Sequence, residues 1–308
     1  MTFAVEVGLP FSIMLAMMIV GLELTLEDLW RVLHYPMHVV FALLGQMLLL
    51  PMLAAGLIVF LRPDAAIAGG LILVAASPQA IISNYFCLLA RADVALAVTL
   101  TAVSSLLALA ATPLIAALLF EQLLAQQTGF VLPVGKVMQQ VLTGLLLPLG
   151  TGMLIRGYAP LFVKHNRRRF QGLSVIALAA LLTIVVLVEC DSILSSLAAI
   201  VIAAVLFTAG AALLGLSIAK AFSWPRMETI TMVAAFPARS LSVATLVAIN
   251  VLGRSEFLSF AVVFFLVQAA LLVAPGDVER EDLRQMISGW APIERERLEE
   301  SVARAERA

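Results

Sequence analysis

Charged residues are scarce in this 308-residue chain, since Asp, Glu, Lys and Arg together make up 13% of it. A soluble domain has about 25% charged and about 45–50% apolar residues. Here 62% of the residues are hydrophobic and the mean hydropathy is +1.07. So much apolar surface cannot all be buried inside a water-facing globule, and the composition predicts that most of it faces lipid.

The sequence also lacks the usual signs of metal, cofactor or nucleic-acid binding. Its two cysteines, Cys87 and Cys190, make neither a disulfide framework nor a metal motif. No glycine-rich phosphate loop is present, and a formal net charge of −1 offers no basic surface to a nucleic acid. We therefore expect no cofactor, no metal and no nucleic-acid partner.

Long apolar runs fill most of the chain. A helix that crosses roughly 30 Å of hydrocarbon needs about 20 residues, and about nine runs reach that length. They are residues 5–25, 37–61, 66–90, 94–119, 135–155, 171–190, 193–219, 228–252 and 257–274. Unbroken runs of this length favour helices over the strands of a barrel. The sequence predicts an all-α polytopic membrane protein with its transmembrane domain in residues 1–275.

Lysine and arginine are distributed unevenly between the loops. Counted from the first span, the odd loops carry Arg31, Arg91, Arg156, Lys164, Arg167, Arg168, Arg169, Lys220 and Arg226. The even loops carry Arg62 and Arg254, with Lys136 at the edge of a span. Since cytoplasmic loops collect these residues, we expect the N-terminus outside and the C-terminus in the cytoplasm, in a bacterial inner membrane or plasma membrane.

Two spans contain helix breakers beside polar residues. In the third, Pro78 is followed by Gln79, Ser83 and Asn84. A break at membrane depth is tolerated where neighbours or a cavity satisfy the freed backbone groups, and a simple proline kink is the alternative.

The eighth span holds Pro237 and, near its middle, Arg239. A charge at that depth is a functional candidate by default, although an ion pair or a helix cap would also explain it. Two interrupted spans at matching places predict an inverted-repeat transporter with two broken crossing helices.

These motifs resemble the bile acid:sodium symporter family, within a wider group that includes arsenite and auxin carriers. The matching segments are Gly21–Leu26 with Asp28, Gln46 with Pro51, Pro78 to Asn84, Leu89 to Leu96, and Thr101 to Pro113. The resemblance implies a core and a panel domain in a nine-helix form. It also implies sodium ligands, of which Gln46, Ser83, Asn84 and Thr101 match this sequence.

Departures from the family pattern lie at the implied sodium sites. Ala97 replaces a serine, Ala234 a glutamate, Ala238 a glutamine and Arg239 an asparagine, while Gln79-Ala80 replaces a Gly-Gly pair. Losing a carboxylate and gaining a cation inverts the local electrostatics, because like charges about 4–6 Å apart repel by a few kcal/mol. We expect an altered or vestigial ion site, so sodium coupling is doubtful, and sodium symport with altered ligands is the alternative.

The hypothesis is that Arg239 replaces the ion and binds a substrate carboxylate or sulfonate. The predicted substrate-binding residues are Arg239, Ser240, Asn84, Ser83, Pro78 and Pro237. The function expected is secondary transport of a small organic anion by alternating access. The alternatives are an inorganic oxyanion carrier or a non-transporting membrane sensor. An enzyme is not expected, because no nucleophile–base pair or metal motif lies at membrane depth. The sequence does not indicate an oligomeric state.

Residues 276–308 form a charged tail that we expect to be cytoplasmic and solvated, with a regulatory role as the alternative. Deletion of residues 276–308 is expected to leave transport unchanged, because a solvated end contributes no contact to the transmembrane domain. Flux in proteoliposomes tests this. Loss of flux with normal membrane insertion would instead assign the tail a regulatory role.

Overall fold

The computed structural model describes residues 36–124 and 142–273, together with isolated positions at 14, 15, 17–19, 21, 22, 135 and 139. These residues are largely helical, and among them the sole β-type pairing is one isolated bridge. The prediction of an all-α polytopic membrane protein is confirmed. The number of spans stays a prediction, because much of the first and part of the fifth predicted span lie outside the described residues. The predicted tail lies outside them as well.

The helices follow the predicted order of spans. They are α1 (Pro36–Leu44), α2 (Leu50–Leu61), α3 (Ala65–Ala76), α4 (Ile82–Leu89), α5 (Val94–Leu123), α6 (Leu147–Tyr158), α7 (Pro160–Val188), α8 (Cys190–Ala221), α9 (Arg226–Ala235), α10 (Leu241–Leu246) and α11 (Leu258–Val273). Wider π-helical turns at Gly45–Leu49, Leu142–Leu146 and Val247–Val251 join α1 to α2, lead into α6 and extend α10. A 3-10 turn, Ser255–Phe257, precedes α11.

Several of these elements are long and apolar enough to cross a membrane. Among the described residues they are Met37–Leu61, Cys190–Ala221 and Ser255–Leu272. Helix α5 is a fourth candidate and is bent by 64° between Ala108 and Ala110. Pro113 lies inside α5 and lacks the N–H that would bond to the carbonyl four residues earlier, which accounts for a bend at this point.

The boundary expected between the fifth and sixth spans is wrong. The sequence predicts a basic loop at residues 156–170, but α7 begins at Pro160 and continues through the basic cluster to Val188. Proline suits the first helical turn, and Lys and Arg are strong helix formers, so the basic segment extends the helix. A hydropathy window detects only the apolar part of such a helix.

Burial in the bundle is opposite to that of a soluble protein. Large apolar side chains such as Met52, Phe60 and Leu147 are exposed on its outside, where the lipid chains would lie. Ten of the twelve residues of α3 are buried, and ring contacts join α5 and α8 to the segment around α11. Polar side chains, including Gln46, Gln79 and Arg239, are buried in the interior. Polar residues that face the interior of a membrane bundle mark functional candidates.

Helix α8 approaches α9 closely at Gly215. A Cβ atom on Gly215 would lie 2.6 Å from the carbonyl oxygen of Met232. We expect Gly215→Ala to destabilise the protein by about 1–3 kcal/mol, because backbone on one side cannot yield. Gly56, on an exposed helix face, has no atom within 4 Å of such a Cβ, so Gly56→Ala is the matched control. Thermal unfolding in detergent compares them, and equal midpoints would contradict the close approach.

Candidate functional site

The two helix breaks cross each other inside the bundle. Helix α3 ends at Ala76 and α4 begins at Ile82, while α9 ends at Ala235 and α10 begins at Leu241. The extended segments between them pair as antiparallel backbone, with Gln79 opposite Arg239. The N–H of Ala80 donates to Ala238 O at 2.9 Å, and the N–H of Ser240 donates to Pro78 O at 2.9 Å. The predicted pair of broken crossing helices is confirmed.

Prolines open each break, and nearby hydroxyl groups complete the backbone hydrogen bonds on the α3 side. Pro78 and Pro237 carry no N–H and cannot continue a helical ladder. The hydroxyl of Ser77 donates to Leu73 O at 2.7 Å. The hydroxyl of Thr112 donates to Ala76 O at 2.8 Å. The carbonyls at the end of α3 are thus satisfied by side chains, as a buried helix end requires.

The guanidinium of Arg239 lies buried against the C-terminal end of α3, with 2% of the residue exposed. Its Nη2 donates to the carbonyls of Ser77 and, at 3.4 Å, Ala75. Its Nη1 donates to Gln46 Oε1 at 3.3 Å. Its Nε has no hydrogen-bond partner among the described residues. The helix-cap alternative therefore describes its contacts in this conformation, since a cation is favoured at the negative end of a helix dipole.

In the described part of the chain no carboxylate forms an ion pair with this charge. The ion pairs found there are His38–Glu228 and Arg254–Glu256, and neither includes Arg239. The position where the family pattern has a glutamate is Ala234, at the end of α9. Within the described residues the crossing therefore carries a net positive charge, which carbonyl and amide dipoles stabilise.

Gln79 fills the cluster of oxygens beside Arg239. Its Oε1 accepts from Gln46 Nε2 at 2.9 Å. Its Nε2 lies 2.8 Å from Ser83 Oγ, 3.1 Å from Thr101 Oγ1 and 3.3 Å from Ala97 O. We call the linked residues Arg239, Gln46, Gln79, Ser83, Thr101 and Asn84 the polar chain. An amide nitrogen surrounded by three oxygens takes the position that a small cation would need.

Asn84 ends the polar chain. Its Oδ1 lies 3.2 Å from Thr101 Oγ1 and 3.5 Å from Ser83 Oγ. Asn84 is 5% exposed. Each of these hydroxyls has one hydrogen, and the shorter bonds go from Ser83 to Ala80 O at 2.8 Å and from Thr101 to Ala97 O at 2.9 Å. Gln46, Ser83, Asn84 and Thr101, predicted as an altered ion site, are thus brought together in one network.

The predicted substrate-binding residues all lie at the crossing. Pro78 and Pro237 form the breaks, and Ser240, which is half-buried, donates its backbone N–H to Pro78 O. Asn84 and Ser83 open α4 on the opposite side. No substrate contact is defined by these positions, so their role in substrate binding stays a prediction.

Two members of the site were missed in the sequence. The sequence pattern places Gln79 beside the break and among the departures from the family pattern but predicts no role for it in the site, yet a long polar side chain in place of glycine has to find partners inside the bundle. Gln268, on α11, accepts from the N–H of Arg239 at 3.3 Å through its Oε1. Its burial within an apolar span was the signal that could have identified it.

Comparison with known proteins identifies the family. The sequence model of the sodium bile acid symporter family matches residues 10–196, which is more than half of the chain. The chain belongs to that family. It is therefore an integral membrane protein of a transporter family, and the resemblance seen in its motifs is confirmed.

Individual relatives match shorter parts. The chain is 36% identical over 160 residues to a rice (Oryza sativa subsp. japonica) protein named probable sodium/metabolite cotransporter BASS2, chloroplastic, covering 52% of this chain and 36% of the relative. It is 29% identical over 187 residues to the uncharacterized sodium-dependent transporter YocS of Bacillus subtilis, covering 60% and 56%. Human P3 protein is 33% identical over 143 residues, covering 46% and 29%. The matches thus span from under a third to just over half of these relatives.

The match to the family ends before the second helix break, where Arg239 lies. The residues present there do not fit a sodium ion in this conformation. Three oxygens already surround Gln79 Nε2 at 2.8–3.3 Å and share its two amide hydrogens, and no described carboxylate faces Arg239. A hard cation needs several free oxygen ligands, and the nearby guanidinium would repel it.

The contacts of Arg239 make its removal costly. We expect Arg239→Ala to lower the free energy of unfolding by about 2–4 kcal/mol, because buried carbonyl and amide acceptors lose their donor. Arg239→Lys keeps the positive charge but not the planar guanidinium, and it should lower the free energy of unfolding by less than Arg239→Ala does. Thermal unfolding without ligand measures both.

Arg254→Ala is the control, because its ion pair with Glu256 is exposed and should contribute less than about 1 kcal/mol. An Arg239→Ala protein as stable as wild type would show that the contacts at the end of α3 contribute nothing to stability.

Proposed function

We propose that this chain is a secondary transporter, and not an enzyme, that carries a small organic anion by alternating access without sodium. The observation that carries the proposal is the buried guanidinium of Arg239, which has no ion-pair partner among the described residues. A charge left uncompensated in an apolar bundle favours an anionic ligand nearby, because Coulomb attraction is strong where the dielectric is low.

The breaks provide donors for such a ligand. Asn84 and Ser83 lie in the first turn of α4, whose backbone N–H groups give it a positive end. Asn84 Nδ2 has no hydrogen-bond acceptor within the described residues, since the contacts of that side chain are made by Oδ1. Ser240 begins α10 on the other crossing segment and is half-buried. A carboxylate or sulfonate between Asn84 Nδ2 and the Ser240 hydroxyl would be held by charge-assisted hydrogen bonds.

Direct contact between Arg239 and the substrate uses either the guanidinium Nε, which is unpartnered within the described residues, or a terminal nitrogen that exchanges its acceptor. In the described conformation both terminal nitrogens donate to Gln46, Ala75 or Ser77, while Nε has no partner. We propose that Arg239 acts first as a fixed charge that attracts the anion. Contact through Nε or an exchanged acceptor belongs to the substrate-bound state.

Sodium independence rests on this chain's own residues, although the family name and the names of two of the three relatives compared refer to sodium. The guanidinium of Arg239 and the amide of Gln79 take the acceptors that an ion would use. A charge bonded to the protein is present in every state of the cycle. It therefore cannot contribute the free energy of an ion gradient.

The experiment is thermal stabilisation of the purified protein by a panel of organic anions and inorganic oxyanions, with sodium or with choline. A ligand that binds only the native state stabilises it by about 2.7 kcal/mol at a concentration of 100 Kd. We expect an organic anion to stabilise equally in both salts, and Arg239→Ala to abolish the shift. Flux of the same anion into proteoliposomes separates a transporter from a sensor.

A shift that appears only with sodium and survives Arg239→Ala would contradict the proposal and restore sodium symport. Stabilisation by inorganic oxyanions alone would show that the substrate is an inorganic oxyanion and not an organic anion. The role of Arg239 as the charge that attracts the substrate would be unchanged. The predicted orientation, with the N-terminus outside, is read from the side on which introduced cysteines are labelled.

A further inference from the structure

We propose that the first turns of α7 bind the phosphate groups of anionic phospholipids through the basic cluster, which consists of Lys164, Arg167, Arg168 and Arg169. The proposal is independent of the proposed function, because none of these residues belongs to the helix crossing. It assigns a lipid-binding surface to the basic segment that is helical and not a loop.

The basic cluster has no acidic counterpart in the neighbouring sequence. Between Glu121 and Glu189 the chain contains no Asp or Glu. Helix α7, Pro160–Val188, therefore offers no carboxylate of its own to these cations. Among the described residues, neither of the two ion pairs includes a residue of α7. Four cations gathered within residues 164–169 favour an anion from outside the helix.

The helical backbone places the basic cluster on adjoining faces of α7. Lys164, Arg167 and Arg168 are three and four residues apart and share one face, and Arg169 follows on the next face. Arg169 is exposed and donates to Asn166 Oδ1 at 3.3 Å. Like charges four residues apart weaken a helix. The helix continues through them, and an anion bound across this face would offset their repulsion.

The length of α7 sets the depth of the basic cluster in the bilayer. Its 29 residues span about 43 Å, whereas the hydrocarbon core is about 30 Å thick and takes about 20 helical residues. Residues 171–188 carry no charge, and Glu189 follows directly. For a helix along the membrane normal, about 20 residues counted back from Val188 end at Arg169, so the other three cations lie within about 8 Å of the hydrocarbon. Since the headgroup layer is about 5–8 Å thick on each side, the basic cluster lies among the phosphates.

Exposed apolar side chains just before the basic cluster select a lipid over a soluble anion. Tyr158, Leu161 and Phe162 are all exposed, and tyrosine is typical of the membrane interface. A phospholipid matches both features, because its phosphate lies directly above its acyl chains. A soluble phosphate would leave the apolar side chains uncovered. The tail, residues 276–308, matches less well, because its nine acidic residues alternate with six arginines that the basic cluster would repel.

The test is native mass spectrometry of the full chain in detergent, titrated with phosphatidylglycerol or with phosphatidylcholine of the same acyl chains. We expect wild type to bind phosphatidylglycerol more tightly. The double variant Arg167→Gln with Arg168→Gln should weaken that binding by about fivefold for each charge removed and leave phosphatidylcholine binding unchanged. Glutamine is a good helix former, so the variant should keep α7 intact.

Lys220→Gln with Arg226→Gln is the matched control, because it also removes two basic residues from the predicted cytoplasmic side. Lys220 lies in the last turn of α8 and Arg226 begins α9, and both are exposed. This variant should bind phosphatidylglycerol as tightly as wild type does. Thermal unfolding of both double variants in phosphatidylcholine verifies that they are folded.

Equal affinities of wild type for the two lipids would overturn the proposal. An equal loss of phosphatidylglycerol binding in both double variants would also overturn it, because the effect would then belong to general surface charge and not to α7. Displacement of the lipid by an equal concentration of glycerol phosphate would assign the surface to a soluble phosphate instead. Phosphatidylglycerol binding that appears only after removal of residues 276–308 would show that the tail, and not lipid, covers the basic cluster.

Discussion

The burial of one guanidinium at the end of a broken helix is the constraint on which the crossing depends. An arginine at membrane depth is costly, and it is retained only where dipoles replace its water. The interrupted end of α3 supplies carbonyls from Ala75 and Ser77, and Gln46 supplies an amide oxygen. The carbonyls at the end of α3 therefore need the donors of Arg239, and the cation needs these carbonyls. Since no described carboxylate joins them, the charge stays uncompensated and dominates the field at the site.

A tethered charge and a dissociable ion have different consequences for a transporter. An ion that binds one state better than another shifts the equilibrium between them, and its gradient then drives the cycle. A charge that never leaves the protein has no such differential binding. It can lower the energy of a substrate anion in the bundle, but the direction of net flux is left to the gradient of the substrate or to another coupled species.

Much of this arrangement could be predicted from the sequence, and there are physical reasons why the rest could not. Pro78, Pro237 and the depth of Arg239 predicted two breaks, because a proline cannot continue the helical hydrogen bonds and a charge at membrane depth needs polar partners. The partners of Arg239 could not be predicted, since Gln46 and Ser77 are far from it in the chain and only packing brings them together. Gln79 was underestimated because its partners lie on α4 and α5. The start of α7 was misplaced because basic residues form helices as readily as apolar ones.

Binding of radioactive sodium to the purified protein, measured by scintillation proximity, decides whether the side chains of Arg239 and Gln79 occupy the place of the coupled ion. If they do, the wild-type protein shows no saturable sodium binding, with or without a substrate anion. Saturable binding that is lost when Thr101 is changed to valine would show that sodium enters the oxygen cluster, and it would contradict the account.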